Sequence, residues 1–267
     1  MNAIAKRGVV RNPAEVYEEC FVPALFRQWG PVVSDAAGLR AGQSVLDVAC
    51  GTGALTCAVA LRVGTSGAVV GLDANRDMLE VARRKSTSID WREGRAESLP
   101  FADESFDGVV SQFGLMFFDD RPRALREMMR VLRPGGRMAV AVWDSLDHSP
   151  GYATLAARLE ALFGEAVLAA FRAPYSLGDP DVLMSLCAEA GVPEARLTRH
   201  VGSVRFSSIE SLVATERACA WTLGGMLDDE QFKRLLADAE GELKRFAAAD
   251  GWVTFVTPAL IITAAKQ

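Results

Sequence analysis

Hydrophobic and polar positions change period repeatedly through the first half of the chain, and each change marks an element. Ser44 to Cys50 (SVLDVAC) is a short apolar run, the pattern of a strand covered on both faces. Leu55, Ala58, Val59, Arg62 and Val63 then recur at helical spacing until Gly64 stops them. Ala68 to Asp73 is a second buried run. Asn75 is placed to cap a helix that presents Met78, Leu79 and Ala82 and ends on Arg83, Arg84 and Lys85, cations suited to its negative pole. Ile89 and Trp91 alternate with polar residues as a half-buried third strand, and Phe106 to Phe113 makes a fourth. Pro122 opens a helix with Leu125, Met128, Met129 and Leu132 on one face, which Arg133-Pro134-Gly135-Gly136 terminates. Met138 to Trp143 is a fifth strand. Strands separated mostly by helices, at roughly 20–30-residue intervals, predict βαβ units and a parallel sheet covered on both sides.

Beyond Trp143 the pattern weakens. Leu155 to Phe163 and Val182 to Ala190 read as helices, Arg196 to Phe206 as a sixth strand, and Ser208 to Gly224 and Asp228 to Ala248 as two further helices. Trp252 to Ala265 is strand-like, with Pro258 favouring a break or an edge position. No repeat, low-complexity segment or linker divides the chain, so one sheet with a helical insertion is expected rather than two independent domains.

Composition narrows the function classes. Half of the 267 residues are hydrophobic and 24% are charged, an ordinary globular balance. The net charge of −5 disfavours a nucleic-acid partner, whose phosphates call for a basic surface. No stretch approaches the ~18 apolar residues of a membrane span. Lys6 and Arg7 precede no apolar segment, so no signal peptide is expected. Five scattered cysteines without a C-x-x-C predict reduced thiols, and His148 and His200, the two histidines, argue against a metal site. These features together predict a soluble, cytoplasmic, metal-free protein.

The candidate chemistry lies after the first strand, in Val45-Leu46-Asp47-Val48-Ala49-Cys50-Gly51-Thr52-Gly53. Glycines at the carboxyl end of a first parallel strand permit a sharp turn and a close approach by a ligand. Asp73, ending the second strand, can accept from a ribose diol. Asp47 lies in an otherwise apolar strand end, where a carboxylate is costly unless a cation or donors meet it. Such a group repels a pyrophosphate and welcomes an ammonium. That combination favours a ligand with a nucleoside at one end and an amino acid at the other, the shape of S-adenosylmethionine.

At these residues the sequence resembles the class I S-adenosylmethionine-dependent methyltransferases, in particular the branch containing the ubiquinone/menaquinone C-methyltransferases. The resemblance spans about Trp29 to Trp143: VLDVACGTG at 45–53, GLDAN at 71–75 followed by Met78-Leu79, GRAESLPF at 94–101, FDGVVSQFGL at 106–115 and RVLRPGG at 130–136. It implies a Rossmann-like α/β fold, a seven-stranded, mostly parallel sheet with helices on both faces and a small helical lid inserted before the last strand. The whole chain, 1–267, is then one methyltransferase domain, with a cofactor-binding core at 30–143, a lid from 1–29 and about 207–250, and a terminal strand at 252–265.

The resemblance also implies roles. Asp47 would reach the methionyl ammonium, and Ala49, Gly51, Thr52 and Gly53 would line the methionyl and ribose side. Asp73 would hold the ribose hydroxyls, with Ala74 and Met78 against the adenine. Ala96 would present its N–H to the adenine edge, and Gln112 would sit near the transferred methyl. The sequence departs from the family in three places. Arg95 stands where an Asp or Asn usually accepts from the adenine amino group, so either Glu97 takes over or Arg95 contributes only its backbone. Gln112-Phe113-Gly114-Leu115-Met116 replaces the quinone enzymes' Ser-Phe-Gly-Leu-Arg. Their N-terminal Tyr-Asp-x-Met-Asn is missing, with Tyr17-Glu18-Glu19-Cys20 the nearest match.

Methyl transfer from a sulfonium needs alignment and exclusion of water rather than a metal. An oxygen or nitrogen nucleophile also needs a base, for which His148 is the first candidate and Asp144 the second, with Asp120 read as a helix cap. Phe113, Met116, Phe117 and Phe118 are read either as core or as an apolar wall for the acceptor. Trp221, Met226, Leu227 and Phe232 are read either as core or as the lid's inner face, and Tyr17 either as packed against the sheet or as a cover over the site. The expected partner is a small-molecule acceptor, the expected product is S-adenosylhomocysteine, and a homodimer is an allowed assembly. Two other classes stay open: an NAD(P)-dependent oxidoreductase, disfavoured by Thr56 in place of a third glycine, and a non-catalytic S-adenosylmethionine-binding scaffold.

Overall fold

The computed structural model describes residues 12–219 and 221–267. Seven strands form one sheet: β1 (Ser44–Val48), β2 (Ala68–Asp73), β3 (Asp90–Glu93), β4 (Phe106–Gln112), β5 (Leu132–Trp143), β6 (Arg196–Phe206) and β7 (Val253–Ala265). Their order is β3-β2-β1-β4-β5-β7-β6, parallel from β3 through β5, with β7 antiparallel to β5. The strand order runs one way from β1 to β3 and the other way from β4 to β5. Right-handed crossovers therefore send the helices between them to opposite faces. The carboxyl ends of β1 and β4, adjacent where the order reverses, frame the crevice in which such sheets bind ligands. The mostly parallel Rossmann-like sheet is as expected.

Ten helices are described: α1 (Pro13–Val16), α2 (Trp29–Ala36), α3 (Ala54–Val63), α4 (Arg76–Lys85), α5 (Arg121–Val131), α6 (Pro150–Phe163), α7 (Glu165–Arg172), α8 (Pro180–Glu189), α9 (Ile209–Ala218) and α10 (Asp229–Glu242), with α1 running on into a π-helical stretch at Tyr17–Phe26. Local chemistry sets their starts. Asn75 Oδ1 accepts from the Asp77 and Met78 amides at 2.9 and 3.3 Å, and Asp120 Oδ1 accepts from Arg123 N at 2.9 Å, the cap expected of it. Asp228 and Gln231 form a reciprocal capping box on α10.

The chain divides into two compact units. One comprises residues 26–145, 174–202 and 257–267, and holds β1 to β5 with α2 to α5 and α8. Its core is the central sheet, where Val45, Leu46, Val109, Val110, Val140 and Ile261 are fully buried. The other comprises residues 12–25, 146–173 and 203–256, a helical unit in which α10 packs on α6 and α9. Arg158 on α6 grips Asp238 on α10 through two parallel hydrogen bonds of 2.5 and 2.8 Å.

Several boundaries differ from the pattern-based ones. β1 stops at Val48 because Ala49 turns to a positive φ of 58°. β5 begins at Leu132, so the Arg133–Gly136 segment that ends α5 is itself extended, tied to the chain end by Gly135 N–Lys266 O at 2.8 Å. β7 continues through Pro258 and lies inside the sheet, contrary to the expected break or edge. The ladder with β5 ends at Ala259, so the missing proline N–H falls just outside it. Among the described residues, no helix is long and apolar enough to cross a membrane.

Candidate active site

Asp47 is the penultimate residue of β1, opposite Val110 of β4, and fully buried. One carboxylate oxygen accepts from Thr56 Oγ1, on the first turn of α3, at 2.6 Å. The other has no partner among the described residues. Burial pushes the carboxyl up to about 7, helped by the charge of Asp73 and opposed by the Thr56 hydrogen bonds. Two residues on, the chain leaves the sheet through Ala49, Gly51 and Gly53, all at positive φ. A Cβ on Gly51 would meet nothing within 4 Å, which leaves that side of the turn open.

Asp73 closes the other side of the turn. Its Oδ2 accepts from Gly51 N and its Oδ1 from Asn75 N, both at 2.8 Å, so it joins the ends of β1 and β2. Each oxygen keeps a second lone pair for a ligand hydroxyl. Burial raises its proton affinity, and the backbone donors of Asn75 and Gly51 oppose that. Asp73→Ala should weaken S-adenosylhomocysteine binding at least tenfold by calorimetry, because it removes both a charged acceptor and the anchor of Gly51. Unchanged affinity would place the ribose elsewhere.

The end of β4 adds further unsatisfied groups. Gln112 Nε2 donates to Phe26 O at 3.2 Å, which fixes the amide and leaves a buried Oε1 without a partner among the described residues. Ser111 and Thr52 are fully buried, and neither hydroxyl has a partner among the described residues. Buried polar atoms are normally paired, and each orphan costs roughly 1–3 kcal/mol. Ser111 alternates to the other face of β4, while the other three, on Asp47, Thr52 and Gln112, lie at the carboxyl ends of two neighbouring strands and the turn leaving one of them. They suit a ligand that brings an ammonium and further donors. A diphosphate would instead meet Asp47 and Asp73.

The loop following β4 is held tightly. Phe113 adopts a positive φ of 56° and stacks on Trp143 with centroids 3.6 Å apart and planes 9° from parallel, while Trp29 stands edge-on to both rings. The next residue is Gly114, where a Cβ would lie 2.6 Å from Ala49 Cβ. The apolar cluster read from the sequence divides: Phe113 and Met116 are core, Phe118 is half-buried and Phe117 is exposed.

After β2, Ala74 is exposed and Met78, on α4, is buried; after β3, Arg95 is exposed and Ala96 is buried. Arg95 turns outward to pair with Asp119 and lies 3.5 Å from Glu97, whose other oxygen accepts from Asp119 N at 2.9 Å. Of the two alternatives drawn from the sequence, this is the one in which Arg95 keeps its guanidinium in solvent.

The two candidate bases differ sharply. Asp144 is 1% exposed, accepts from Ser145 N at 2.8 Å and pairs with Arg199 Nε at 2.6 Å. Both oxygens of Asp144 are thus engaged, and the geometry makes it an ion-pair partner of Arg199. His148 is exposed on a short 3-10 turn (Leu146–His148) of the helical unit.

Within that unit Tyr17 packs edge-on against Trp221, with centroids 5.8 Å apart. Leu227 is buried, Met226 is partly exposed, and Phe232 lies under the Arg217 guanidinium. Sequence reasoning passed over Glu216, on α9, which is buried and held by Thr222 and Tyr152. Burial raises its carboxyl to about 7. It also passed over Thr56 as a donor to Asp47 and over Ser111. A hydroxyl within an apolar strand end, or one turn beyond a glycine loop, was the available signal.

Comparison with known proteins agrees with this geometry. Two curated relatives are ubiquinone/menaquinone biosynthesis C-methyltransferases UbiE. That of Hahella chejuensis is 48% identical over 122 residues, covering 43% of this chain and 49% of its own. That of Escherichia coli is 39% identical over 137 residues, covering 49% and 55%. The chain thus spans about half the length of the curated relatives it matches. Among solved structures, the YcgJ protein from Bacillus subtilis superposes with a TM-score of 0.59 at 19% identity, over 90% of this chain and 98% of that one. A putative methyltransferase from an antibiotic biosynthesis pathway of Anabaena variabilis gives 0.63 at 16%, over 90% and 97%. At such identities these two speak for the fold alone. The model of the ubiE/COQ5 methyltransferase family matches residues 17–152, a span that includes the glycine turn, Asp73 and the end of β4. By that match the chain belongs to the ubiE/COQ5 methyltransferase family.

Proposed function

We propose that this chain binds S-adenosylmethionine at the β1–β4 crevice and transfers its methyl to a small hydrophobic acceptor. One observation carries the reading: a fully buried carboxylate with an unpartnered oxygen, set at the turn where a nucleoside ligand would lie. Asp47 Oδ1 and Gln112 Oε1 would receive the ammonium end. Asp73 would take the ribose hydroxyls, the open face of Gly51 would let the ligand approach the backbone, and Ala74, Met78 and Ala96 would flank the adenine.

The cofactor supplies an activated methyl on a cationic sulfur, open to in-line displacement. The chain's own task is then to hold that group still and dry. Alignment can supply roughly 7–11 kcal/mol. The rigid stack of Phe113 on Trp143 fixes the backbone next to Gln112, and the aromatic faces tolerate a nearby cation. The relatives' name makes a quinone-precursor ring the first acceptor to test. The changed residues at Gln112–Met116 make a different planar apolar acceptor the second. Asp144 is committed to Arg199, and His148, the first candidate base, belongs to the helical unit. His148→Ala tests that candidacy, with turnover at least tenfold lower and S-adenosylhomocysteine affinity unchanged as the result that would keep it. Full turnover would remove it from the mechanism.

S-adenosylhomocysteine is expected to raise the melting temperature by several degrees and NAD to leave it unmoved, since binding to the folded state alone stabilises it. The reverse ranking would reject the assignment in favour of a dehydrogenase. Labelled methyl transfer from S-adenosylmethionine to a panel of quinols and phenols tests the reaction itself. Binding without transfer to any of them would favour the scaffold reading.

A further inference from the structure

Behind the glycine turn lies a side chain to which no role in ligand binding has been given. Trp91, on β3, stands opposite Gly71 of β2 in the parallel ladder and is 9% exposed. Its indole Nε1 donates to Ser86 O at 2.9 Å, at the end of α4, which pins the pyrrole edge. The opposite edge of the ring lies against two glycines. A Cβ on Gly71 would fall 2.6 Å from Cε3 and Cζ3, and a Cβ on Gly53 would fall 2.5 Å from Cη2 and 3.1 Å from Cζ3. Distances below 3 Å are far inside van der Waals contact, so the absence of side chains at both positions is what admits the indole. The ring is wedged between β2 and the turn and anchored at its far end by the Ser86 hydrogen bond.

Gly53 is also the N-cap of α3, with φ of 83°, and its carbonyl receives Cys57 N at 3.0 Å. Its height above the sheet therefore sets that of Thr52 before it and of Thr56 after it, the donor to Asp47. We propose that Trp91 is a positioning residue for the cofactor turn: its ring is the floor on which Gly53 rests and fixes where the turn meets the ligand. The proposal rests on the cofactor reading above for its ligand, but not for its geometry.

The test is a double-mutant cycle between positions 53 and 91, read in two ways. Gly53→Ala should weaken S-adenosylhomocysteine binding about a hundredfold and lower the melting temperature of the free protein, because its methyl meets the ring and because a side chain at a φ of 83° is strained; only the first part of the loss can be relieved at position 91. Trp91→Phe shortens the ring and withdraws the atoms nearest that methyl. By itself it should weaken binding three- to tenfold, with the melting temperature down by only a few degrees. Combined, the two should bind at least tenfold more tightly than Gly53→Ala alone and melt higher than it, since the new methyl fills the space the shorter ring leaves.

If Gly53→Ala does not fold, recovery of a folded, ligand-binding protein in the double variant supports the same conclusion. Additive losses in both readouts, or a Trp91→Phe protein with unchanged affinity, would overturn it. Wild-type protein that bound no S-adenosylhomocysteine would reject the cofactor reading instead, and the coupling in the ligand-free melting temperature would still decide whether the ring supports the turn.

Discussion

Asp47→Asn is expected to stabilise the free protein at pH 8 while weakening its affinity for S-adenosylhomocysteine at least tenfold. The two effects have one cause. Burial holds the Asp47 carboxyl near 7 against an ordinary value of 3.8, so keeping it ionised at pH 8 costs the fold about 4 kcal/mol. Asparagine has the same shape, can still accept from Thr56, and carries no charge. Its new N–H2 group is left without an acceptor, which returns part of the gain, so a net stabilisation of about 1–3 kcal/mol is expected. For ligand binding the sign reverses, because the charge that burdens the free protein is the one that would meet an ammonium. Urea unfolding and calorimetry at pH 8 check both halves. At pH 5.5 the folded carboxyl is protonated but the unfolded one is still ionised, so about half of that cost remains and the stability difference should shrink by about 2 kcal/mol. A variant less stable than wild type at pH 8 would show that a cation or donor already neutralises Asp47 in the free protein.

This trade of stability for binding is also why the site could be read from the sequence. A carboxylate in the apolar run SVLDVAC breaks the pattern of a buried strand, and nothing local repairs it. The same is true of the glycines at 51 and 53, and of Asp73 at the close of a second apolar run. The parallel strands were legible because they are short and apolar throughout, and α4 and α5 because Asn75 and Asp120 announce them.

What stayed hidden was set by contacts distant in sequence. The helix at Trp29–Ala36 contains Gly30 and Pro31 and shows little amphipathic pattern. It persists because Trp29 packs against Phe113 and Trp143, more than a turn of sheet away in the chain. Asp144 looked available because Arg199, its partner, lies 55 residues on. Pro258 argued against an interior strand, and only the β5 register shows that the ladder does not need its N–H. Trp91 read as an ordinary half-buried strand residue, since neither of the glycines it touches is near it in sequence.

Binding of S-adenosylhomocysteine should strengthen about tenfold for each unit of pH up to about 7 and then level off, leaving affinity at pH 5.5 about thirtyfold below that at pH 8. An ammonium favours the ionised form of Asp47, so complex formation must expel the proton that the free protein holds below 7. Calorimetry in buffers of different ionisation enthalpy should accordingly show close to one proton released at pH 6 and almost none at pH 8. The free protein should move the other way. Its carboxyl binds protons more tightly than in the unfolded chain, so stability is greatest while Asp47 is protonated and falls as pH rises from about 4 through 7. Glu216, raised to a similar value by burial in the helical unit, adds to that decline. It should add nothing to the pH dependence of binding. Glu216→Gln should therefore flatten the stability profile and leave the affinity profile as it was, whereas Asp47→Asn should flatten both. An affinity profile that persists in Asp47→Asn would assign the expelled proton to another group and remove Asp47 from the ammonium site.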